Sequence, residues 1–199
     1  MADIVYTYEG SAYLNITNKC PCACIFCIRS NGDGLGSADT LWHKKDPSFD
    51  EIKVEIDSFD FSPFKEVVFC GYGEPTEALD NLIKTAEYIK EKLGLKIRVN
   101  SNGLSDLING KETAHLLEGL VDCISISLNA PDAESYQRVS QSAFGSEAFP
   151  ALLKFAEDCK KYIPEVKFTV VDVITDEEIR KCQEIADSMG IKLRVRNKI

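Results

Sequence analysis

The 199 residues leave room for one sizeable core, and a composition of 44% hydrophobic and 28% charged residues is that of an ordinary globular protein, so a single domain over 1–199 is expected. A formal charge of −9 argues against a general grip on nucleic-acid phosphates. The start MADIVYTYEG has neither a basic cluster nor an apolar run, and no stretch approaches membrane-spanning length, so the expectation is a cytoplasmic protein with neither membrane nor nucleic acid as partner.

The first strand expected is AYLNIT (12–17), which runs into the cysteine-rich stretch CPCACIFC (20–27). A long connection rich in Gly, Asp and Ser follows, and 29–49 reads as a lid because long loops at a functional rim are often lids. Trp42 and His43 within it are candidates for touching a substrate, although a lone Trp-His pair is more often packing. Next come the helix SFDEIKVEIDSF (48–59), the strand EVVFC (66–70) and the turn GYGEP (71–75).

The run 77–94 places Leu79, Leu82, Ile83, Ala86 and Ile89 on one helical face and stops at Gly94, suited to a left-handed cap. The strand KIRVNS (96–101) leads to a helical stretch over 105–120 interrupted near Gly110. The strand CISISLN (123–129), a short helix over 132–139, a helix over 148–163 and the strand KFTVVDVI (167–174) continue the pattern. A helix over 175–190, with Thr175 and Asp176 as caps, and the strand KLRVR (192–196) complete it.

Strands alternating with helices make parallel βα units in one sheet. Six are too few for a closed eightfold barrel, and the alternation chooses among the remaining forms. Ser125, Ser127 and Asn129 share one face, as do Arg98, Asn100 and Asn102, and as do Arg194 and Arg196. A closed barrel fills its interior with aliphatic side chains, so a polar inner face means a wet lumen. The expected fold is α/β, a partial (β/α)6 barrel of parallel strands open on one side.

Eight cysteines in a chain kept reduced favour metal or cluster binding over disulfides. Cys20, Cys24 and Cys27 form C-x3-C-x2-C, and Cys22 is an additional thiol inside the first gap. The loop, 18–30, follows a strand end, where parallel sheets place ligands. Three thiolates suit three irons of a [4Fe-4S] cluster and leave the fourth iron open. Zinc wants four ligands arranged as a tetrahedron, typically from two separated knuckles. An electron-transfer cluster wants a fourth cysteine, a place that counting alone lets Cys22 fill. Cys70, Cys123, Cys159 and Cys182 show no paired spacing and read as small buried hydrophobes, with Cys70 and Cys22 left without a role. His115 reads as structural.

The cysteine trio, with Phe26 before its last member, resembles the signature of the radical S-adenosylmethionine (SAM) superfamily. GYGEP (71–75) resembles that family's GGEP motif, with Tyr72 departing from the usual second glycine. With SNG at 101–103 and SISLNA at 125–130, the likeness covers almost the whole chain. The wording LNITNKCPCACIFCIR, FCGYGEPT and SISLNAP is most similar to the small TatD-family-associated members.

The resemblance implies a [4Fe-4S] cluster on Cys20, Cys24 and Cys27 and SAM on the open iron. It implies reductive cleavage of SAM to a 5′-deoxyadenosyl radical and hydrogen abstraction from a substrate that the sequence does not identify. Gly71, Tyr72, Gly73 and Glu74 would hold the methionine amine, Ser127 and Asn129 the ribose, and Asn102 would support the same ligand. Backbone groups near Phe26 and Val173 would meet adenine, and Arg196 or Arg194 would pair with a carboxylate. For Arg98, Asn100 and Asp172 an ion-pair or hydrogen-bond network is an equal reading.

The implied partners are reduced flavodoxin or ferredoxin, a substrate that includes the protein or peptide option, and a TatD-type hydrolase neighbour. Because the chain stops after its sixth strand, the cover over the lumen is expected from a substrate, a partner or a second subunit. The rival from another class is a non-catalytic Fe-S or zinc module used for docking or electron transfer.

Overall fold

The computed structural model describes residues 2–198. Its sheet has seven strands in chain order: β1 (Val5–Tyr8), β2 (Ser11–Leu14), β3 (Glu66–Phe69), β4 (Lys96–Ser101), β5 (Cys123–Ser127), β6 (Glu165–Val171) and β7 (Lys192–Arg196). All neighbours from β2 onward are parallel, which matches the six expected units. β1 and β7 stand at opposite margins, so the sheet is open.

β1 is an addition. It pairs antiparallel with β2 through a two-residue turn in which Glu9 (φ 45°) and Gly10 (φ 78°) are both left-handed, the geometry that matches strand twist in tight hairpins. The strands also end earlier than their apolar runs suggest. β2 stops at Leu14, β5 at Ser127 and β6 at Val171, and the residues beyond become rim loops.

The helices are α1 (Phe49–Ser58), α2 (Leu79–Leu93), α3 (Ser105–Asn109), α4 (Ala133–Ser140), α5 (Ala148–Tyr162) and α6 (Asp176–Ser188). Ser48 and Thr175 start α1 and α6 with reciprocal capping boxes to Glu51 and Glu178. α2 ends at left-handed Gly94 and α3 at left-handed Gly110, which is the expected interruption.

The main core lies between these helices and the outer face of the sheet, where Ile97, Val99, Ile124, Ile126, Phe168 and Val170 meet Leu82, Ile89, Leu152 and Phe155. The inner face is polar across strands. The register puts Asn100 beside Ser125, Ser127 beside Thr169, and Thr169 beside Arg194. At the N-terminal end of this face lies a cleft of about 650 Å³, lined among others by Arg98, Cys123, Ser125, Lys167 and Arg194. Arg98 is ion-paired there to Glu66 at 2.7 Å and bonds the Asn100 side chain at 3.3 Å.

The segment expected as a lid is pinned along the hairpin. Ser37 N–H donates to the Thr7 carbonyl (2.9 Å), Thr7 N–H donates to Ser37 Oγ (2.8 Å), and Asp3 Oδ2 accepts from the amides of Asp39 and Thr40. Fully buried Leu41 packs with Tyr6 and Tyr72 in a second small core. These bonds satisfy part of the outer margin of β1 and make the segment a strap across it.

Candidate functional site

The C-terminal ends of β2, β3, β4 and β5 and the loops after them form one rim. From β2 the chain runs through Asn15 to Lys19 into the cysteine loop. Asn15 is the hub, with its side-chain carbonyl accepting from Tyr72 N–H (3.1 Å) and its amide donating to the Leu41 carbonyl (2.7 Å). His43 Nε2 sits 2.9 Å from both the Asn15 side chain and the Asn15 carbonyl, so it anchors the strap. Trp42 packs edge-on against Tyr72 with ring centres 4.9 Å apart.

GYGEP lies directly on this stretch. A Cβ on Gly71 would meet Asn15 Oδ1 at 2.2 Å, and one on Gly73 would meet the Thr17 carbonyl at 2.3 Å. The close approach that needs these glycines is therefore to the chain itself, to the Asn15 side chain at Gly71 and to the backbone of Thr17 and Lys19 at Gly73. Tyr72, at the place of the usual glycine, is buried, and its hydroxyl donates to the Gly32 carbonyl at 2.6 Å.

Glu74 is 3% exposed, and its carboxylate is committed to the protein. It accepts from Thr76 N–H (3.2 Å), Thr76 Oγ (2.8 Å), Ser101 Oγ (2.9 Å) and Asn102 N–H (2.7 Å), while its own N–H donates to the Lys19 carbonyl (2.8 Å). Burial raises its pKa, and the donors on Asn102, Thr76 and Ser101 hold the rise back. This carboxylate ties the loop after β3 to the end of β4, and the residue's N–H adds the loop after β2, so the side chain does not lie open for an incoming ammonium.

Cys20, Cys24 and Cys27 are free and partly exposed at the rim, whereas Cys22 is free and buried at 5% exposure. The Cys22 sulfur accepts from Asn102 Nδ2 at 3.9 Å, and its backbone bridges to Ser142. Contact with Cys22, then burial and the Glu74 charge, raise the Cys20 thiol above its ordinary range. Cys22 reaches about 12: its bond with Cys20 pulls down, and its contact with Cys24 and burial outweigh that.

The loop is stitched to the end of α4 by backbone bonds. Ala23 N–H donates to the Ser140 carbonyl (3.1 Å), Ile25 N–H to the Val139 carbonyl (3.0 Å), and Ala143 N–H to the Pro21 carbonyl (2.8 Å).

Three residues that the sequence reading did not single out lie beside these thiols. Arg29 sits next to Cys27, Cys20 and Cys24, with its guanidinium donating to the carbonyls of Asn18 and Cys22 at 3.3 and 3.4 Å. Tyr136 lies beside Cys22 and Cys24, and Ser142 beside Cys22. Arg29 was legible as a basic residue two places after the last cysteine. Tyr136, more than 100 residues away, carried no local signal.

The other expected site residues are distributed more widely. Ser127 closes β5 on the inner face. Asn129 does not continue that face, which corrects the expected alternation. The strand has ended, the residue is left-handed (φ 60°), and its Nδ2 donates to Ser140 Oγ at 3.2 Å. Asn102 likewise lies past the end of β4, turned toward Cys22. Phe26 packs partly buried on the main core, and Val173 N–H closes a tight turn onto the Val171 carbonyl at 2.7 Å. Arg196 reaches from β7 toward Tyr8 and Cys70, and its buried Nε has no hydrogen-bond partner. His115 stacks edge-on to Tyr162 and Asp172 accepts from Lys198 N–H at 2.7 Å, both away from the thiols.

Among the described residues no three or more His, Cys, Asp or Glu side chains are gathered as the ligand set of one metal ion. The donor set at the rim is instead three soft sulfurs at separate positions of one loop, next to a glycine-bounded turn. That chemistry fits a cluster whose irons take one thiolate each.

An open parallel α/β barrel with such a loop on its first unit defines a class of cluster-dependent barrel protein. The model of the radical SAM superfamily matches residues 14–187, and the chain belongs to that superfamily, which uses a [4Fe-4S] cluster and SAM. The chain is 29% identical over 145 residues to a putative glycyl-radical enzyme activating enzyme of Methanocaldococcus jannaschii, covering 69% of this chain and 55% of that one. It is 30% identical over 151 residues to a probable dual-specificity RNA methyltransferase of Prochlorococcus marinus, covering 72% and 39%. The chain thus spans about half or less of the length of these relatives.

Among solved structures, Streptococcus suis SuiB bound to the precursor peptide SuiA superposes with a TM-score of 0.68 at 16% identity, over 92% of this chain and 38% of that one. Native anSMEcpe with bound SAM gives 0.65 at 18% identity, over 94% and 50%. Likeness at that identity concerns the fold. No helix among the described residues is long and apolar enough to cross a membrane.

Proposed function

We propose that this radical SAM enzyme binds its cluster through Cys20, Cys24 and Cys27 within a single core domain and cleaves SAM reductively for hydrogen abstraction from a protein or peptide. The observation that carries the reading is the sorting of four neighbouring thiols, three part-exposed at the rim and Cys22 buried and hydrogen-bonded inward. When bound, the reduced cluster and SAM supply a 5′-deoxyadenosyl radical, and the protein's part is to orient the ligand and exclude side reactions.

In this reading the backbone of Gly71, Tyr72 and Gly73 receives the methionine ammonium, and Glu74 acts at one remove by fixing that turn. Arg196, with a buried N–H lacking an acceptor, takes a carboxylate of SAM or substrate. Ser127 and Asn129 serve the ribose, Asn102 stands between the Cys22 sulfur and the Glu74 turn, and Phe26 and Val173 border adenine. Arg29 offsets the negative charge that thiolates bring to the loop.

A macromolecular substrate is favoured by the open inner face and by relatives described as an activating enzyme and as a peptide-bound structure. The charge of −9 disfavours RNA as substrate despite the methyltransferase relatives. Flavodoxin or ferredoxin is the proposed electron donor. The TatD-associated subgroup and a TatD-type hydrolase neighbour rest on motif wording alone.

Anaerobic reconstitution tests this. The unaltered chain and Cys22→Ala should take up iron and sulfide in equal amounts, Cys24→Ala should lose the cluster, and the reduced, loaded chain should release 5′-deoxyadenosine from SAM. A loaded chain that releases none is the docking or electron-transfer module. Loss of the cluster in Cys22→Ala with retention in Cys24→Ala overturns the ligand set.

A further inference from the structure

The cleft at the N-terminal end of the inner face takes no part in the cysteine site. At about 3.3 Å per residue, β4 carries its mouth at Lys96 about 17 Å from the rim at Ser101. Its volume of about 650 Å³ is that of a ligand site.

The cleft is basic in a chain whose net charge is −9. Each of its acids is already answered: Glu66 pairs with Arg98 at 2.7 Å, Glu165 with Lys167 at 2.9 Å, and Asp122 with Lys90 and the Ile97 N–H. Lys96, Lys192 and Arg194 are left over, exposed at the lining and without an ion pair or side-chain hydrogen bond among the described residues. Lys96 lies near Asp122 and Lys192 near Glu165, but both acids hold closer cations.

The wall between these two flanks is polar and unengaged. Ser125 and Thr169 line it at 9% and 5% exposure, and neither hydroxyl has a hydrogen-bond partner among the described residues. β4 and β7 are three strand spacings apart, about 14 Å along the sheet, so the flanks suit two separate carboxylates. Two acids about four extended residues apart in one peptide span that interval.

We infer that this cleft docks an acidic segment of the polypeptide substrate, with Lys96 on one flank and Lys192 with Arg194 on the other each taking a carboxylate, and Ser125 and Thr169 donating between them. The inference rests on the reading of the substrate as a protein or peptide, and it makes acidity the feature that the chain selects. Docking here is ionic and hydrogen-bonded, and no bond is made or broken. The overall charge repels a long polyanion such as RNA, whereas a short acidic segment meets chiefly the local excess of cations.

The test titrates the anaerobically reconstituted chain, without SAM, into rhodamine-labelled hexaglutamate and reads fluorescence anisotropy. Binding should weaken as salt rises from about 50 to about 300 mM. Lys96→Gln/Lys192→Gln should bind about tenfold more weakly. Lys84→Gln/Lys111→Gln, which removes the same charge from exposed positions outside the cleft, should bind as the unaltered chain does. Absent binding, equal weakening in both double variants, or tighter binding of labelled hexauridylate overturns the inference. A chain that releases 5′-deoxyadenosine from SAM but ignores hexaglutamate loses only this inference. One that binds hexaglutamate through Lys96 and Lys192 and releases no 5′-deoxyadenosine keeps the acidic-segment site and loses the enzyme reading.

Discussion

Glu74 sets four donors against a carboxylate that burial pushes toward its neutral form. Glutamine at this position keeps an acceptor for Thr76 and Ser101 but turns an N–H group on Asn102 N–H. Glu74→Gln should therefore cost about 1–3 kcal/mol in denaturant unfolding. A carboxyl whose folded pKa lies above its unfolded value, about 4.3, stabilises the fold fully below that value and loses the contribution as pH rises through the raised folded one. The penalty of Glu74→Gln should accordingly be largest at low pH and shrink as pH rises. A penalty that grows with pH would contradict the upward shift. Asn15 shares this economy at the next position inward, since one side chain joins the cysteine approach, the GYGEP turn and the strap.

The strap over 29–48 is an element defined by its attachments to β1 rather than by regular structure. Leu41 is fully buried between Tyr6 and Tyr72, so Leu41→Ala should destabilise by about 2–5 kcal/mol. If the strap is a separate cooperative piece, hydrogen exchange in this variant should quicken at the Ser37, Asp39 and Leu41 amides while α5 stays protected. Uniform acceleration would instead make the strap part of the main core.

The strap and β1 were the least legible elements in the sequence. A four-residue strand followed by Glu-Gly lacks the Asn-Gly or Asp-Gly signal of a tight hairpin, and the strap's bonds to it are long-range. The helices from α1 to α6 and the six parallel strands were legible because periods of 3.6 and 2 persist over enough residues. What alternation does not show is where a strand stops, so Asn129 was placed on the inner face and lies beyond it. The three cysteines were readable from spacing, and the glycine turn from its resemblance to a family motif. The Glu74 network and the Tyr136 contact were not, because side chains meeting across loops leave no period.

On the scale of the molecule, the sheet has two unlike margins. The strap covers part of β1, whereas β7 carries Lys192, Arg194 and Arg196 alternating with Leu193 and Val195, and Val195 is 46% exposed. Charged side chains on a bare edge strand hinder edge-to-edge pairing. Arg194→Val should therefore produce concentration-dependent association in sedimentation, although it makes the net charge more negative. A variant that stays monomeric at every concentration would show that the charge on β7 is not what keeps the margin single.

The backbone bonds from Ala23, Ile25 and Ala143 that join the cysteine loop to the end of α4 are made between peptide groups, so their strength does not depend directly on the oxidation state of any sulfur. Damage by oxygen that strips out iron should spare the mould around it. Repair then becomes a question of resupply, with no need for the polypeptide to find its shape a second time.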